Sequence, residues 1–144
     1  NIHDNGTIEI TSNSYYAGDH PSNLLDFNVK TQYESPRKEA WICFDFKKMK
    51  VKITNYSIKS SEGGQSSCHL KSWDLEVSND GDNWIKIDQH SNCSTLNGDG
   101  FVGTFDAQQN EFAQFVRLRQ TDDPWGGDYL KICYIEFYGF LKNQ

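Results

Sequence analysis

A predicted β-hairpin at residues 72–88 is the feature that most constrains the fold of this 144-residue chain. Residues 73–78 alternate apolar and polar side chains, which is the two-residue period of a half-buried strand. The Asn-Asp-Gly sequence at 79–81 tolerates positive φ, as a tight chain reversal requires. A second strand is predicted directly afterwards, beginning with the Trp-Ile-Lys-Ile sequence at 84–87. The chain therefore contains at least one antiparallel strand pair.

Further short apolar runs recur along the chain with turn residues between them. Strands are predicted at Thr7–Ser12, Ile42–Phe46, Val51–Lys59, Phe101–Phe105, Phe115–Arg119 and Cys133–Phe137. Asp45 is expected to face outward, and Gly139 is expected to end the last strand. The segment 21–30 can hold one helical turn capped by Ser22. Many short strands with regular turns indicate an all-β protein in which two antiparallel sheets pack face to face.

Composition and charge exclude several classes of function. The formal net charge of −6 argues against a nucleic-acid partner, because such proteins usually carry a basic face. It also opposes binding to anionic lipid, and we interpret the lysine-rich segment 47–52 as a solvated turn. The length suits one domain, 1–144, and we expect it to be excised from a larger multidomain protein because the first residue is Asn1 rather than Met.

The four cysteines match no zinc-binding pattern because their spacing is irregular. Cys43 and Cys133 lie in apolar runs, where a thiol often acts as a small core residue. Cys68 and Cys93 lie in predicted loops and are either bridged or free. We predict four reduced thiols.

Five segments, in order, resemble the discoidin, or coagulation factor 5/8 type C, domains of the galactose-binding-like superfamily. They are the segments 8–15, 22–31, 41–46, 115–119 and 135–139, and the Ser-Asn-Asp-Gly-x-x-Trp hairpin at 78–84 also looks like the central hairpin of these domains. The resemblance implies a jelly-roll β-sandwich of two antiparallel sheets with its binding loops at one end. The sequences of segments 53–58 and 115–120 are similar to those of discoidin-like domains in intracellular proteins, including BTB-domain proteins. This similarity favours an intracellular location.

The resemblance also implies which loops meet at the binding end, namely 13–20, 34–40, 60–72 and 121–129. These loops carry the candidate ligand-binding residues Tyr15, Tyr16, His20, Glu34, Arg37, His69, Trp125 and Tyr129. Sugar recognition needs an aromatic face for the C–H side of a pyranose and polar groups for its hydroxyls, and this set contains both.

Structural alternatives remain for several of these residues. Trp125 lies between Asp-Asp-Pro and Gly-Gly, so it is either an exposed platform at a loop tip or folds back over the end of the sandwich. Of Tyr15 and Tyr16, one is expected to pack inward and the other to be exposed.

Two polar candidates also have a structural role as the alternative to ligand binding. His69 is either a ligand contact or a solvated or hydrogen-bonded loop residue. Arg37 has Glu34 and Glu39 close in sequence, so a surface ion pair is the alternative to ligand binding.

A calcium site is a second implication of the resemblance, because related carbohydrate-binding members hold Ca²⁺ through an Asp-Gly-Asn-x-x-Thr loop and a Glu on the closing strand. The matching residues here are Asp26, Asn28, Thr31 and Glu136. Hard oxygen donors suit the ion, but Phe27 replaces the Gly of the motif. The alternative is structural, with Asp26 capping its own turn and Glu136 paired with a basic neighbour.

No catalytic motif is evident in the sequence. It has no nucleophile elbow, phosphate loop or metal-binding His pair, and its four histidines are scattered. We therefore predict a non-enzymatic binding module whose ligand is a carbohydrate. The alternative is a protein–protein interaction (adaptor) domain, and phospholipid binding has less support because the first loop lacks apolar spikes.

Overall fold

The computed structural model describes residues 6–26, 32–62 and 68–144. These residues form one 3₁₀ helix, η1, and nine β-strands. The elements are β1 (Glu9–Ser12), η1 (Pro21–Leu25), β2 (Tyr33–Ser35), β3 (Trp41–Asp45), β4 (Met49–Ser60), β5 (Trp73–Ser78), β6 (Ile85–His90), β7 (Val102–Asp106), β8 (Phe115–Gln120) and β9 (Leu130–Asn143). No helix among the described residues is long and apolar enough to cross a bilayer.

The strands form two sheets, and every neighbouring pair within them is antiparallel. One sheet has five strands in the order β1-β3-β8-β5-β6, and the other has four in the order β2-β9-β4-β7. Apolar residues from the inner faces of both sheets form one continuous core. The predicted jelly-roll β-sandwich of two antiparallel sheets is therefore confirmed.

Aromatic side chains joined by hydrogen bonds and ring contacts lie between the two sheets. The fully buried Trp73 donates its indole N–H to the Tyr56 hydroxyl at 2.8 Å, and this hydroxyl donates to Asp88 Oδ2 at 2.7 Å. His90 stacks on Trp73 with ring centroids 4.6 Å apart. Burial and the bond to Asp88 raise the pKa of Tyr56, so the hydroxyl stays neutral and keeps both hydrogen bonds.

Strand β5 is more buried than its alternation predicted. All six of its residues are buried, including the outward-facing Asp74 and Glu76. Two arginines from the adjacent β8 cover them: Arg117 Nε donates to Glu76 at 2.8 Å, and Arg119 Nη2 donates to Asp74 at 2.7 Å. Trp84 adds a ring 4.0 Å from the Arg117 guanidinium carbon. The polar positions are buried because charged and aromatic neighbours cover them.

The closing strand extends further than predicted. Gly139 was expected to end it, but β9 continues to Asn143 and pairs with the long β4. Gly139 instead lies at a break in register opposite Ile53, with φ of +152°. A Cβ at this position would approach the Lys52 carbonyl oxygen to 2.0 Å. Glycine is therefore required for the irregular pairing rather than for a chain stop.

The single helical turn is present, but its cap differs from the prediction. Ser22 lies inside η1, and His20 occupies the cap position. The backbone N–H of Ser22 donates to His20 Nδ1 at 3.1 Å. An imidazole nitrogen thus performs the role that the serine hydroxyl was expected to perform.

The two ends of the sandwich carry different turns and loops. One end carries the turn at 47–48, where Lys47 pairs with Glu9 and lies 3.2 Å from Asp45 Oδ2. The backbone N–H of Gln144 donates to the Lys48 carbonyl at 2.9 Å at the same end. Asp45 faces outward as predicted, and Gln114 donates to it at 2.9 Å. The opposite end carries the loops that follow β1 and precede β3.

All four cysteines are present as free thiols. Cys43 is half-buried on β3 rather than within the core, because it occupies an outward position opposite Arg117. Burial raises the pKa of the Cys43 thiol to about 11. The thiol therefore stays protonated near neutral pH.

Candidate loop-end binding site

Five loops meet at one end of the sandwich, which we call the rim. They are residues 13–20, 36–40, 61–72, 91–101 and 121–129, of which 63–67 lie outside the described residues. The resemblance implied four of these loops, and the structure brings all four together. It adds the β6–β7 loop at 91–101, which the sequence interpretation did not include.

The first loop is fixed to the β2–β3 turn through Asn13. Its side-chain amide donates to the Glu39 carbonyl at 2.9 Å and accepts the Trp41 backbone N–H at 3.1 Å. On the far side of the same turn, Lys38 Nζ lies 3.4 Å from Asp123 Oδ2 in the β8–β9 loop. Three loops are thus joined before any ligand is considered.

Trp125 folds back onto the rim, as its structural alternative proposed. His69 and Trp125 form an isolated antiparallel bridge, with N···O distances of 3.0 and 2.8 Å. The half-buried indole donates to the Cys93 carbonyl at 2.9 Å, and the Lys71 ammonium lies 5.2 Å from the ring centroid. Trp125 therefore links the loops at 61–72, 91–101 and 121–129.

His69 is a rim-holding residue rather than an exposed contact. Only 3% of it is exposed. Its Nδ1 lies 3.3 Å from Asn97 Oδ1 and its Nε2 lies 3.1 Å from Asp99 Oδ1, both in the β6–β7 loop. Of the two alternatives for His69, this placement matches the hydrogen-bonded loop residue, because both ring nitrogens lie beside partners 28 and 30 positions away in the chain.

The exposed aromatic residues of the rim lie beside the four-stranded sheet. Tyr16 and Tyr129 are 39% and 37% exposed, and their rings meet edge-to-face with centroids 5.8 Å apart. The backbone N–H of Tyr16 donates to the Glu34 carbonyl at 3.0 Å. The hydrogen bond with Tyr129 is the main cause that raises the pKa of Tyr16, and the Glu34 charge adds to it.

Polar groups converge on the same two tyrosines. Lys131 Nζ lies 3.5 Å from Glu34 Oε1. Asp19, whose N–H donates to the Tyr16 carbonyl, has a raised pKa because of burial, partly offset by the positive charge of Lys131. We call this group of Tyr16, Asp19, Glu34, Tyr129 and Lys131 the tyrosine cluster.

Tyr15 and His20 form a separate pair on the first loop. Tyr15 is 47% exposed, so neither of the adjacent tyrosines packs fully inward as had been expected of one of them. Its ring contacts His20 edge-on, with centroids 4.9 Å apart. His20 caps η1, which ties its imidazole to local structure.

Arg37 is exposed at the β2–β3 turn. Its backbone N–H donates to Ser35 Oγ at 3.3 Å, while its guanidinium forms no ion pair with any described residue. Glu34, the ion-pair partner suggested by the sequence, pairs instead with Lys131. The guanidinium is therefore available to an incoming anion.

The calcium prediction is only partly covered by the described residues, because Asn28 and Thr31 lie outside them. Asp26 ends η1 and is exposed, and the Tyr138 hydroxyl donates to Glu136 Oε2 at 2.7 Å. Within the described part of the chain, no group of three or more His, Cys, Asp or Glu side chains is placed to hold a metal ion. Calcium binding stays a prediction.

The sequence matches a known domain family. A family model for the F5/8 type C domain matches residues 9–135. The chain belongs to the F5/8 type C domain family. No curated protein matches the chain significantly.

Solved structures show the same fold at low sequence identity. CBM32-3 from a family 31 glycoside hydrolase of Clostridium perfringens has a TM-score of 0.76 and 16% identity, covering 95% of this chain and 94% of that one. The family 32 CBM of Clostridium perfringens NanJ, solved with galactose, has a TM-score of 0.74 and 12% identity, covering 94% of each chain. CpGH89CBM32-5 from the same organism, solved with GalNAc-β-1,3-galactose, has a TM-score of 0.72 and 18% identity, covering 93% and 96%.

Proposed function

We propose that this domain is a non-catalytic carbohydrate-binding module that holds a neutral glycan at the tyrosine cluster. The observation that carries the proposal is the pair of exposed tyrosines, Tyr16 and Tyr129, beside the Glu34–Lys131 ion pair. The structural relatives that were solved with galactose and GalNAc-β-1,3-galactose support it. They do not favour the adaptor alternative.

The chemistry of the cluster suits a pyranose. The two ring faces offer apolar surface for the C–H side of a sugar, and their mutual contact limits the side-chain entropy lost on binding. Glu34 offers a carboxylate acceptor and Lys131 an ammonium donor for hydroxyl groups. A neutral sugar satisfies both polar groups without leaving an unpaired charge in the contact.

The geometry of the rim gives no support for catalysis. The His69 ring contacts Asn97 and Asp99, and neither of these two contacts places a nucleophile beside a base. Asp122 contacts Lys71 at 3.7 Å and Asp123 contacts Lys38 at 3.4 Å, so these carboxylates join loops.

Replacing Tyr129 with Ala is expected to weaken glycan binding by about tenfold, because truncating an aromatic side chain that the ligand covers commonly costs more than about 1 kcal/mol. A glycan array identifies the best neutral ligand, and isothermal titration of that ligand measures the change. Tyr138→Ala is the matched control, since Tyr138 is 39% exposed but lies on the outer face of β9. A blank array with a folded protein, or an equal loss in both variants, contradicts the proposal.

Calcium binding is tested by the melting temperature. If Asp26, Asn28, Thr31 and Glu136 hold the ion, Ca²⁺ at 100 times its Kd stabilises the fold by about 2.7 kcal/mol, because only the native state binds it. The melting temperature is then expected to rise by several degrees and to fall back with EDTA. The control is Glu136→Gln, which should abolish the rise. An unchanged melting temperature in the parent chain would rule out a role for these ligands.

A further inference from the structure

A second concave surface lies on the other side of the rim, at the loop end of strands β3 and β8 in the five-stranded sheet. It is an open depression of about 520 Å³, which we call the Trp41 depression. Its lining residues are Asn13, Arg37, Lys38, Glu39, Trp41 and Arg119. Trp41 and Arg119 face each other in the β3–β8 register, so the floor belongs to the sheet while the walls come from two loops. The tyrosine cluster lies beside β2 and β9 of the other sheet.

The polar groups of the depression are mostly donors. Arg119 uses Nε and Nη2 to bind Asp74 and Glu76, while its Nη1 donates to no described residue. The Arg37 guanidinium likewise forms no ion pair with a described residue, and the Trp41 indole N–H has no acceptor among them. Asn13 joins the loops through one side-chain N–H and its Oδ1. The unused donors therefore include two guanidinium groups and one indole.

Charge complementarity selects the class of ligand. Three of the lining residues are cationic and one, Glu39, is anionic, although the chain as a whole carries −6. Guanidinium groups match carboxylates in planar, bidentate geometry. Trp41 adds an aromatic face next to these donors, which suits the C–H side of a sugar ring.

We propose that the Trp41 depression binds an acidic sugar residue, a uronic acid, through its carboxylate. Arg37 and Arg119 Nη1 hold the carboxylate, and the pyranose lies against Trp41. The inference extends the proposed glycan-binding function to a second contact with its own specificity. Because the net charge of the chain repels polyanions in general, an acidic glycan binds only where local cations outweigh that field.

The test compares tetragalacturonate with the neutral galactose tetramer by isothermal titration, and follows the Trp41 indole N–H by NMR. That signal is assigned by its loss in Trp41→Phe. Arg37→Gln is expected to weaken tetragalacturonate binding about tenfold and to leave the neutral tetramer unaffected. The matched control, Lys50→Gln, removes a cation from β4, away from the rim, and should change neither affinity. Raising the salt concentration should weaken the binding of tetragalacturonate and leave the binding of the neutral tetramer unchanged.

The outcomes separate the two sites. Tyr129→Ala should reduce binding of the neutral tetramer while tetragalacturonate binding persists. If tetragalacturonate binding is instead lost in Tyr129→Ala and retained in Arg37→Gln, the acidic sugar occupies the tyrosine cluster and the inference is overturned. Tetragalacturonate that binds no better than the neutral tetramer in the parent chain overturns it as well. If neither ligand binds, this inference fails, and the proposed function then depends on the glycan array alone.

Discussion

Replacing Trp73 with Ala is expected to lower the free energy of unfolding by about 4 kcal/mol, the usual cost of truncating a large buried aromatic side chain. Trp73 is fully buried, stacks on His90 and donates to the Tyr56 hydroxyl. The substitution leaves a cavity between the two sheets and removes one hydrogen bond from Tyr56. Urea denaturation followed by far-UV circular dichroism measures the loss.

Trp84→Ala provides the matched control for this substitution. Trp84 is half-buried on the outer face, where its ring lies over Arg117. Its removal is expected to cost about 1 kcal/mol, the scale of a partly exposed cation–π contact. If both tryptophan variants lose the same stability, Trp73 is not the central packing element of the core. Should Trp73→Ala fail to fold, Trp73→Phe, which keeps most of the ring volume, is expected to recover a cooperative transition.

Glu76→Ala is expected to destabilise the fold by about 3 kcal/mol, because it leaves two arginines next to a buried position without their shared carboxylate. Glu76 accepts hydrogen bonds from Arg117 at 2.8 Å and from Arg119 at 3.2 Å. The value lies at the low end for buried ion pairs because the Arg117 and Arg119 side chains are 21% and 37% exposed. Denaturant titration in low and moderate salt measures the effect, and salt should change it little.

Glu111→Ala is the comparison for Glu76→Ala, since it removes the same functional group from an exposed loop. A surface change of this kind is expected to stay within about 0.5 kcal/mol. A loss below about 1 kcal/mol for Glu76→Ala would place the ion pairs of Glu76 with Arg117 and Arg119 among ordinary exposed ion pairs. Since Arg119 also lines the floor of the Trp41 depression, that result would indicate a less fixed floor there.

Most strands were predictable because their side chains alternate with respect to a single buried face. Residues 42–46 show this directly, with Ile42 and Phe44 buried and Asp45 outward. The short β2 was not predicted, since three residues carry too little periodicity to distinguish a strand from a loop. The extension of β9 past Gly139 was missed because glycine usually marks a chain reversal, whereas here it accommodates irregular pairing with β4.

The rim was predictable only in part, because its contacts join residues far apart in sequence. The Asn-Gly-Asp-Gly sequence at 97–100 is typical of a turn, but placing that turn at the rim requires the order of the strands. The burial of His69 depends on Asn97 and Asp99 from this same loop, so no local pattern could reveal it. The pairing of Tyr16 with Tyr129 likewise follows from how β2 lies beside β9.

Residue 144 meets the 47–48 turn, and β1 begins opposite Asp45 at that same end of the sandwich. An affinity tag, a fluorophore or a neighbouring domain joined after residue 144 would therefore be anchored far from Tyr129 and Trp41. The molecule can be immobilised on a sensor chip through this position with the rim directed into the flowing sample.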